Sequence, residues 1–87
     1  MDKRNIMDTL PWSRPVQFEI DVGRYRILVS TEEASHFLLN DWPAIKGPRL
    51  IDARRVCLDV MAGMDKPDNA RTAFVAACKE ADMRVMP

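Results

Sequence analysis

Residues 16–30 read VQFEIDVGRYRILVS, and this stretch decides the fold. Apolar and polar side chains alternate on both sides of Gly23, as in two strands that each bury one face. A two-residue turn made by Gly23 and Arg24 is typical of a type II′ hairpin. The register that follows predicts one shared buried face, formed by Phe18, Ile20, Val22, Tyr25, Ile27 and Val29. Leu28 is the exception, because this register turns it toward the polar face.

Three helices are predicted to cover the apolar face of the hairpin, since an isolated two-stranded sheet is only marginally stable. The first begins at Ser30, where the sequence STEE matches a capping box, and ends near Asp41, just before a Trp-Pro pair. The second and third are expected over residues 48–62 and 67–81, each with proline in its first turn. Residues 83–86 predict a short final strand beside the hairpin. The fold class is therefore α+β, in the order ββααα with an optional last strand.

Length and charge limit the classes of function. The 87 residues suit one domain, and we expect a flexible tail over residues 1–11 followed by a single α+β domain over residues 12–87. Thirteen basic and thirteen acidic side chains cancel, so no net field favours nucleic acid. Apolar runs are too short to span a membrane, and the N-terminus lacks the apolar core of a secretory signal. These features predict a cytoplasmic protein.

Candidate catalytic residues are few. His36 is the one histidine, and it falls on the polar side of the first predicted helix without a nucleophile at a matching spacing. Cys57 and Cys78 lie on apolar helix stripes and are predicted to be buried thiols. Two cysteines and one histidine cannot build a structural zinc site, and no glycine-rich phosphate loop occurs. We expect no catalytic residues, no metal and no cofactor, and hence no enzyme.

One local basic cluster stands out, formed by Lys46, Arg49, Arg54 and Arg55. Arg54 falls inside the apolar arc of the second helix, where an unpaired charge is costly. Two interpretations are open. In the first, the stem of Arg54 packs on the core while its guanidinium reaches solvent or pairs with Asp41 at the end of the first helix. In the second, the guanidinium lines a site for an anionic ligand or a nucleic acid.

The favoured hypothesis is a non-enzymatic protein-interaction or regulatory module, with a second copy of the chain or another protein as its partner. The candidate interface residues are Leu28 on the polar hairpin face, Val75 on the outer side of the third helix and Trp12 as a partly exposed lid. A two-stranded sheet also leaves open edges, which favour self-association as a homodimer.

An ordered series of residues resembles a known family. The series comprises Trp12, Pro15, Val16, Gly23, Val29, Ala34, Leu38, Leu39, Trp42, Pro43, Gly47, Ala53, Cys57, Gly63, Ala70, Arg71, Phe74 and Ala77. It resembles domain of unknown function 982, a bacterial family found mainly in rhizobia and their relatives, over roughly Trp12 to Val85. The resemblance implies a free-standing cytoplasmic domain from an alphaproteobacterium. It implies no established activity and no catalytic residues.

Overall fold

The computed structural model describes residues 10–87. Two antiparallel strands precede three helical segments, which confirms the α+β class and the order ββααα. The elements are β1 (Pro11–Asp21), β2 (Arg24–Ser30), α1 (Thr31–His36) continuing as a π-helical turn (Phe37–Asp41), α2 (Pro48–Met61) and α3 (Pro67–Glu80). β1 begins at Pro11, inside the predicted tail, whereas residues 1–9 of that tail lie outside the described part of the chain.

The predicted hairpin register is wrong for β2 and for Val22, which was expected on the buried face and is 97% exposed in the turn. Val22 and Gly23 form the turn, so Asp21 pairs with Arg24 and Phe18 pairs with Arg26. An extra residue of β1, between Glu19 and Asp21, forms a bulge in the ladder. Because one residue of slippage inverts every side chain of a strand, the predicted buried row of β2 faces outward.

The buried face of β2 is built on the residue that the predicted register placed outside. Leu28 pairs with Val16, and both side chains are buried with Phe18. Arg26 lies on this same face, with its guanidinium carbon 5.1 Å from the centre of the Phe37 ring. A cation over an aromatic ring is attracted to it, and the stem of arginine can lie along apolar surface. An arginine therefore occupies the rim of the core at a position that simple alternation reserves for a hydrophobic residue.

The cap of α1 is as predicted, with one change of partner. Ser30 Oγ accepts from the backbone N–H of Glu33 at 3.2 Å. The Glu33 carboxylate accepts from the N–H of Val29 at 2.8 Å, one residue before the expected cap position. The helix then widens into the π-helical turn and stops at Trp42, whose ψ of 121° is extended, as expected before a proline.

The bounds of α2 and α3 agree with the sequence predictions. Both helices begin with proline at the first position, and α2 ends before Gly63, which has a φ of +78°. Glycine adopts this left-handed conformation without steric cost. The apolar arc predicted for α2 is wider than the face it buries, since Ile51 and Leu58 are each 59% exposed.

Five aromatic rings join the layers at one point. The Phe74 ring of α3 is fully buried and lies within 6.3 Å, between ring centres, of four others. Its neighbours are Trp12 and Phe18 from β1, Phe37 from the π-helical turn, and Trp42. Most of these pairs meet edge to face, which is the favoured geometry for aromatic rings. The hairpin, α1 and α3 therefore share a single core.

The predicted final strand is present as one antiparallel bridge between Phe18 and Val85. Two backbone hydrogen bonds flank it, from Glu19 N–H to the Arg84 carbonyl and from Met86 N–H to the Gln17 carbonyl, each at 2.8 Å. The C-terminus thus lines the edge of β1 opposite to β2. Within residues 10–87, no helix is long and apolar enough to cross a membrane.

The corrected register predicts a large loss of stability for one substitution in β2 and almost none for its neighbour. Leu28→Ala should lower the free energy of unfolding by about 3 kcal/mol, because it opens a cavity in the core. Ile27→Ala should change it by less than about 0.5 kcal/mol, because Ile27 is 57% exposed. Urea denaturation followed by tryptophan fluorescence measures both values. A larger loss for Ile27→Ala than for Leu28→Ala would contradict this register.

Candidate protein-contact surface

The outer face of β2 carries an apolar row. We use "β2 row" for Tyr25, Ile27 and Val29, which are 46%, 57% and 44% exposed. They alternate with residues of the buried face, so all three side chains project from the same side of the strand. An antiparallel sheet with one solvated face normally carries polar side chains there. This strand departs from that rule along its length.

The polar neighbours of the β2 row already have partners. On β1, the Glu19 carboxylate lies 3.4 Å from Arg84 Nε. At the turn, Arg24 donates to Asp21 at 3.0 Å. The ion pairs lie beside the row and leave it uncovered within residues 10–87, so the exposed apolar surface is continuous along β2.

The edge of β2 is open next to this row. The N–H of Val29 points away from β1, toward Glu33. Since backbone groups alternate between the two sides of an antiparallel strand, the N–H and C=O groups of Tyr25 and Ile27 point to the same edge. Among residues 10–87 the sheet consists of β1 and β2, and no strand pairs with this edge.

A groove of about 450 Å³ runs between the open edge and α1. Its strand side is formed by Arg26, Ile27 and Leu28, and its helix side by Glu32, Glu33 and His36. The groove is therefore basic on one wall and acidic on the other. This pairing of an open strand edge with a charged cleft was not visible in the sequence.

Two of the three predicted interface residues belong to the core. The prediction that Leu28 lies on the polar face is wrong, because it is 2% exposed and packs behind the sheet. Trp12 is not a partly exposed lid: it is buried, and its indole N–H donates to Thr31 Oγ1 at 3.0 Å. Val75 is half-buried at the margin of the core. The exposed apolar residues are instead those of the β2 row, which the alternating pattern had assigned to the core. The one sequence feature that indicated the error was Leu28, an apolar residue that the predicted register placed on the polar face.

Two members of the predicted basic cluster make intramolecular bonds. Arg54 donates from Nε and Nη2 to the carbonyl of Leu38, at 3.1 and 2.8 Å. The Asp41 partner expected for Arg54 lies instead 3.9 Å from His36 Nε2. Arg55 forms ion pairs with Asp52 and Asp59 on its own helix. Arg54 therefore satisfies a backbone carbonyl of the π-helical turn, and the charge of Arg55 is balanced by two carboxylates.

The remaining part of that cluster surrounds a helix N-terminus that the protein fills itself. Both carboxylate oxygens of Glu80 accept from the N–H of Arg49 at 3.1 Å, and one also accepts from the N–H of Leu50 at 3.3 Å. Free N–H groups and the helix dipole favour an anion at this position. Glu80 supplies that anion from the end of α3. Neither Lys46 nor the Arg49 side chain forms an ion pair within residues 10–87.

The candidate catalytic residues are not assembled with one another. The His36 side chain is 70% exposed and has Asn40 Nδ2 at 3.2 Å from its Nδ1. Cys57 and Cys78 are fully buried free thiols, as predicted. Burial raises the pKa of Cys57 to about 11 and that of Cys78 to about 12. Both thiols are therefore protonated at neutral pH, where they pack as small hydrophobic groups.

The Glu80 contact predicts coupling between two substitutions. A Cβ added at Gly47 would lie 2.6 Å from Glu80 Oε1, so Gly47→Ala should displace the carboxylate from the helix N-terminus. In a double-mutant cycle with Glu80→Ala, we expect a coupling of about 1 kcal/mol in the free energy of unfolding. Gly47→Ala should then cost less in the Glu80→Ala background than in the natural chain. Strict additivity in urea denaturation would contradict the contact.

The buried thiols predict a pH effect. The folded chain holds both thiol protons more firmly than the unfolded chain, whose cysteines have a pKa near 9.0. The free energy of unfolding should therefore fall as the pH rises from about 8 to about 10, because only the unfolded state ionises there. The Cys57→Ala/Cys78→Ala variant should show a shallower fall. Native protein should also react with a thiol reagent far more slowly than urea-unfolded protein.

Comparison with known proteins agrees with the resemblance seen in the sequence. A solved structure, the NMR structure of the Agrobacterium tumefaciens protein Atu1219, is 34% identical to this chain with a TM-score of 0.73. The match covers 88% of this chain and 77% of the Atu1219 chain. A search of curated proteins finds no match. The family model described as "Protein of unknown function (DUF982)" matches residues 14–85. The chain therefore belongs to the DUF982 family, whose function is unknown.

Proposed function

We propose that this protein is a non-enzymatic interaction module of the cytoplasm, and that it binds protein through the β2 row. The observation that carries the proposal is the exposure of Tyr25, Ile27 and Val29 side by side on a sheet face. Contiguous exposed apolar surface is characteristic of contact sites, whereas single exposed apolar residues are ordinary. Reduced, buried thiols suit the cytoplasmic location.

The composition of the row favours a protein partner. Tyr25 offers a flat ring with a hydroxyl at its tip, and such side chains are enriched at the centres of interfaces. The adjoining β-branched side chains are stiff, so little conformational entropy is lost when they are covered. A sheet face also holds the three residues at fixed spacing. The surface is therefore preorganised for docking, which lowers the cost of association.

The anion-binding alternative receives less support. Of its four residues, Arg54 and Arg55 are engaged within the chain, and Glu80 occupies the adjacent helix N-terminus. An incoming phosphate would have to displace a carboxylate that is already covalently part of the protein. Lys46 and Arg49 alone provide two charges, a small fraction of what counterion-driven binding of nucleic acid requires.

The proposal is tested by site-specific photocrosslinking in cells that express the protein. A benzophenone amino acid placed at Tyr25 should give a discrete crosslinked protein band, either with another protein or with a second copy. The same probe at Leu58, which is also well exposed but lies on the outer side of α2, is the matched control. Ile27→Lys should remove the band from the Tyr25 probe at unchanged protein level. Equal crosslinking from both probe positions, or a band that survives Ile27→Lys, would overturn the proposal.

A further inference from the structure

We propose that the partner is a second copy of this chain, paired antiparallel along the open edge of β2 with a two-fold axis at Ile27, so that the β2 rows of the two copies meet side by side. This inference rests on the proposed function and names its partner. It follows from three properties of the edge: its hydrogen-bonding groups, the symmetry of its side chains and the distribution of its charges.

The backbone groups on the open edge of β2 can pair with an added strand. The N–H and C=O of Ile27 point to the open edge, as do those of Tyr25. Across a two-fold axis at Ile27, the two copies of this residue exchange a pair of N–H to C=O bonds. Antiparallel addition of a strand to an exposed edge is a recurrent mode of protein recognition. Two hairpins then form one continuous sheet.

The side chains are symmetric about the same residue. Tyr25 and Val29 each lie two positions from Ile27, so Ile27 meets its own copy and Tyr25 meets Val29 of the other chain. Aromatic side chains paired with β-branched ones stabilise antiparallel sheets. The two rows therefore merge into one apolar surface of six side chains. An axis at Arg26 would instead place two arginines directly opposite, which is unfavourable.

The two ends of the β2 edge carry opposite charges. Arg24 and Arg26 belong to the start of β2, whereas Glu32 and Glu33 follow its end. Antiparallel pairing about Ile27 sets Arg24 opposite Ser30 of the other copy, beside the acidic wall of the groove. Each copy thus presents its basic end to the acidic end of the other. Parallel pairing would bring like charges together, so the charge pattern also selects the orientation.

Glu33 has two uses in this arrangement. In the single chain it accepts from Val29 N–H and so caps the end of the open edge. In the pair, the carbonyl of Tyr25 from the other copy takes that N–H, and the carboxylate turns to the incoming Arg24. The exposed Arg24 and Asp21 pair is worth little, so its exchange costs little. The edge is thereby protected in the monomer without being blocked in the dimer.

Disulfide trapping tests the register. In an Ile27→Cys variant the two introduced residues face each other with Cα atoms about 5.5 Å apart, within disulfide range. Oxidation with diamide should convert most of the protein to a covalent dimer. In Tyr25→Cys, the matched control from the same row, the equivalent Cα atoms lie about 14 Å apart and should crosslink at least ten-fold more slowly. The native thiols do not interfere, because Cys57 and Cys78 are fully buried.

A mixed sample sharpens the result. Tyr25→Cys combined with Val29→Cys should form the heterodimer in preference to either homodimer. Equal rates for Ile27→Cys and Tyr25→Cys alone, or a monomer by sedimentation equilibrium up to millimolar concentration, would overturn the pairing. Those outcomes leave the proposed function intact if the Tyr25 photocrosslink still traps a different protein. Loss of the Tyr25 photocrosslink as well would overturn both the pairing and the proposed function.

Discussion

The Phe74 ring is the contact on which the rest of the structure depends. It touches aromatic rings from the first residues of β1, from the middle of β1, from the π-helical turn and from the Trp-Pro corner. A domain of this size buries a limited fraction of its surface, so one large shared cluster must stabilise several elements at once. The small residues beside Phe74 on α3, such as Ala70 and Ala77, are fully buried and let α3 approach its neighbours closely. Two of the aromatic partners are tryptophans, and one of them, Trp12, was expected to be a partly exposed lid.

Local chemistry made much of the fold predictable. Ser30 caps α1, proline opens α2 and α3, and Gly63 follows α2 in a left-handed conformation. Each of these signals depends on a few neighbouring residues, and a sequence displays such neighbours directly. The stripe of α3 and the two buried thiols follow from helical spacing in the same way.

The strand register could not be obtained in that manner. Both faces of β2 carry apolar residues, and a count of hydrophobic side chains selects Tyr25, Ile27 and Val29 for the core. The structure instead buries Leu28 and Ser30, because Phe18 must meet Phe37 and Phe74 and because Ser30 must reach the N-terminus of α1. Arg26 completes that face by lying over the Phe37 ring, and a hydrophobicity scale would not assign an arginine to that position. The β2 row was missed as a candidate surface for the same reason, because the predicted register placed its three side chains in the core. The contact of Arg54 with the Leu38 carbonyl was likewise hidden, because it depends on the π-helical turn.

The bridge between Phe18 and Val85 bears on the order in which the elements of the chain come together. β1 exchanges two hydrogen bonds with residues 84–86: Glu19 N–H donates to the Arg84 carbonyl, and the Gln17 carbonyl accepts from Met86 N–H. Loop closure over such a sequence distance slows folding, so β1 gains its second neighbour later than it gains β2. The hairpin joins neighbouring segments and can form early, yet the opposite edge of β1 stays unpaired until residues 84–86 reach it. The sheet is therefore complete only when residues distant in sequence have met, and loss of residues 84–86 would leave β1, its central strand, with one edge unpaired.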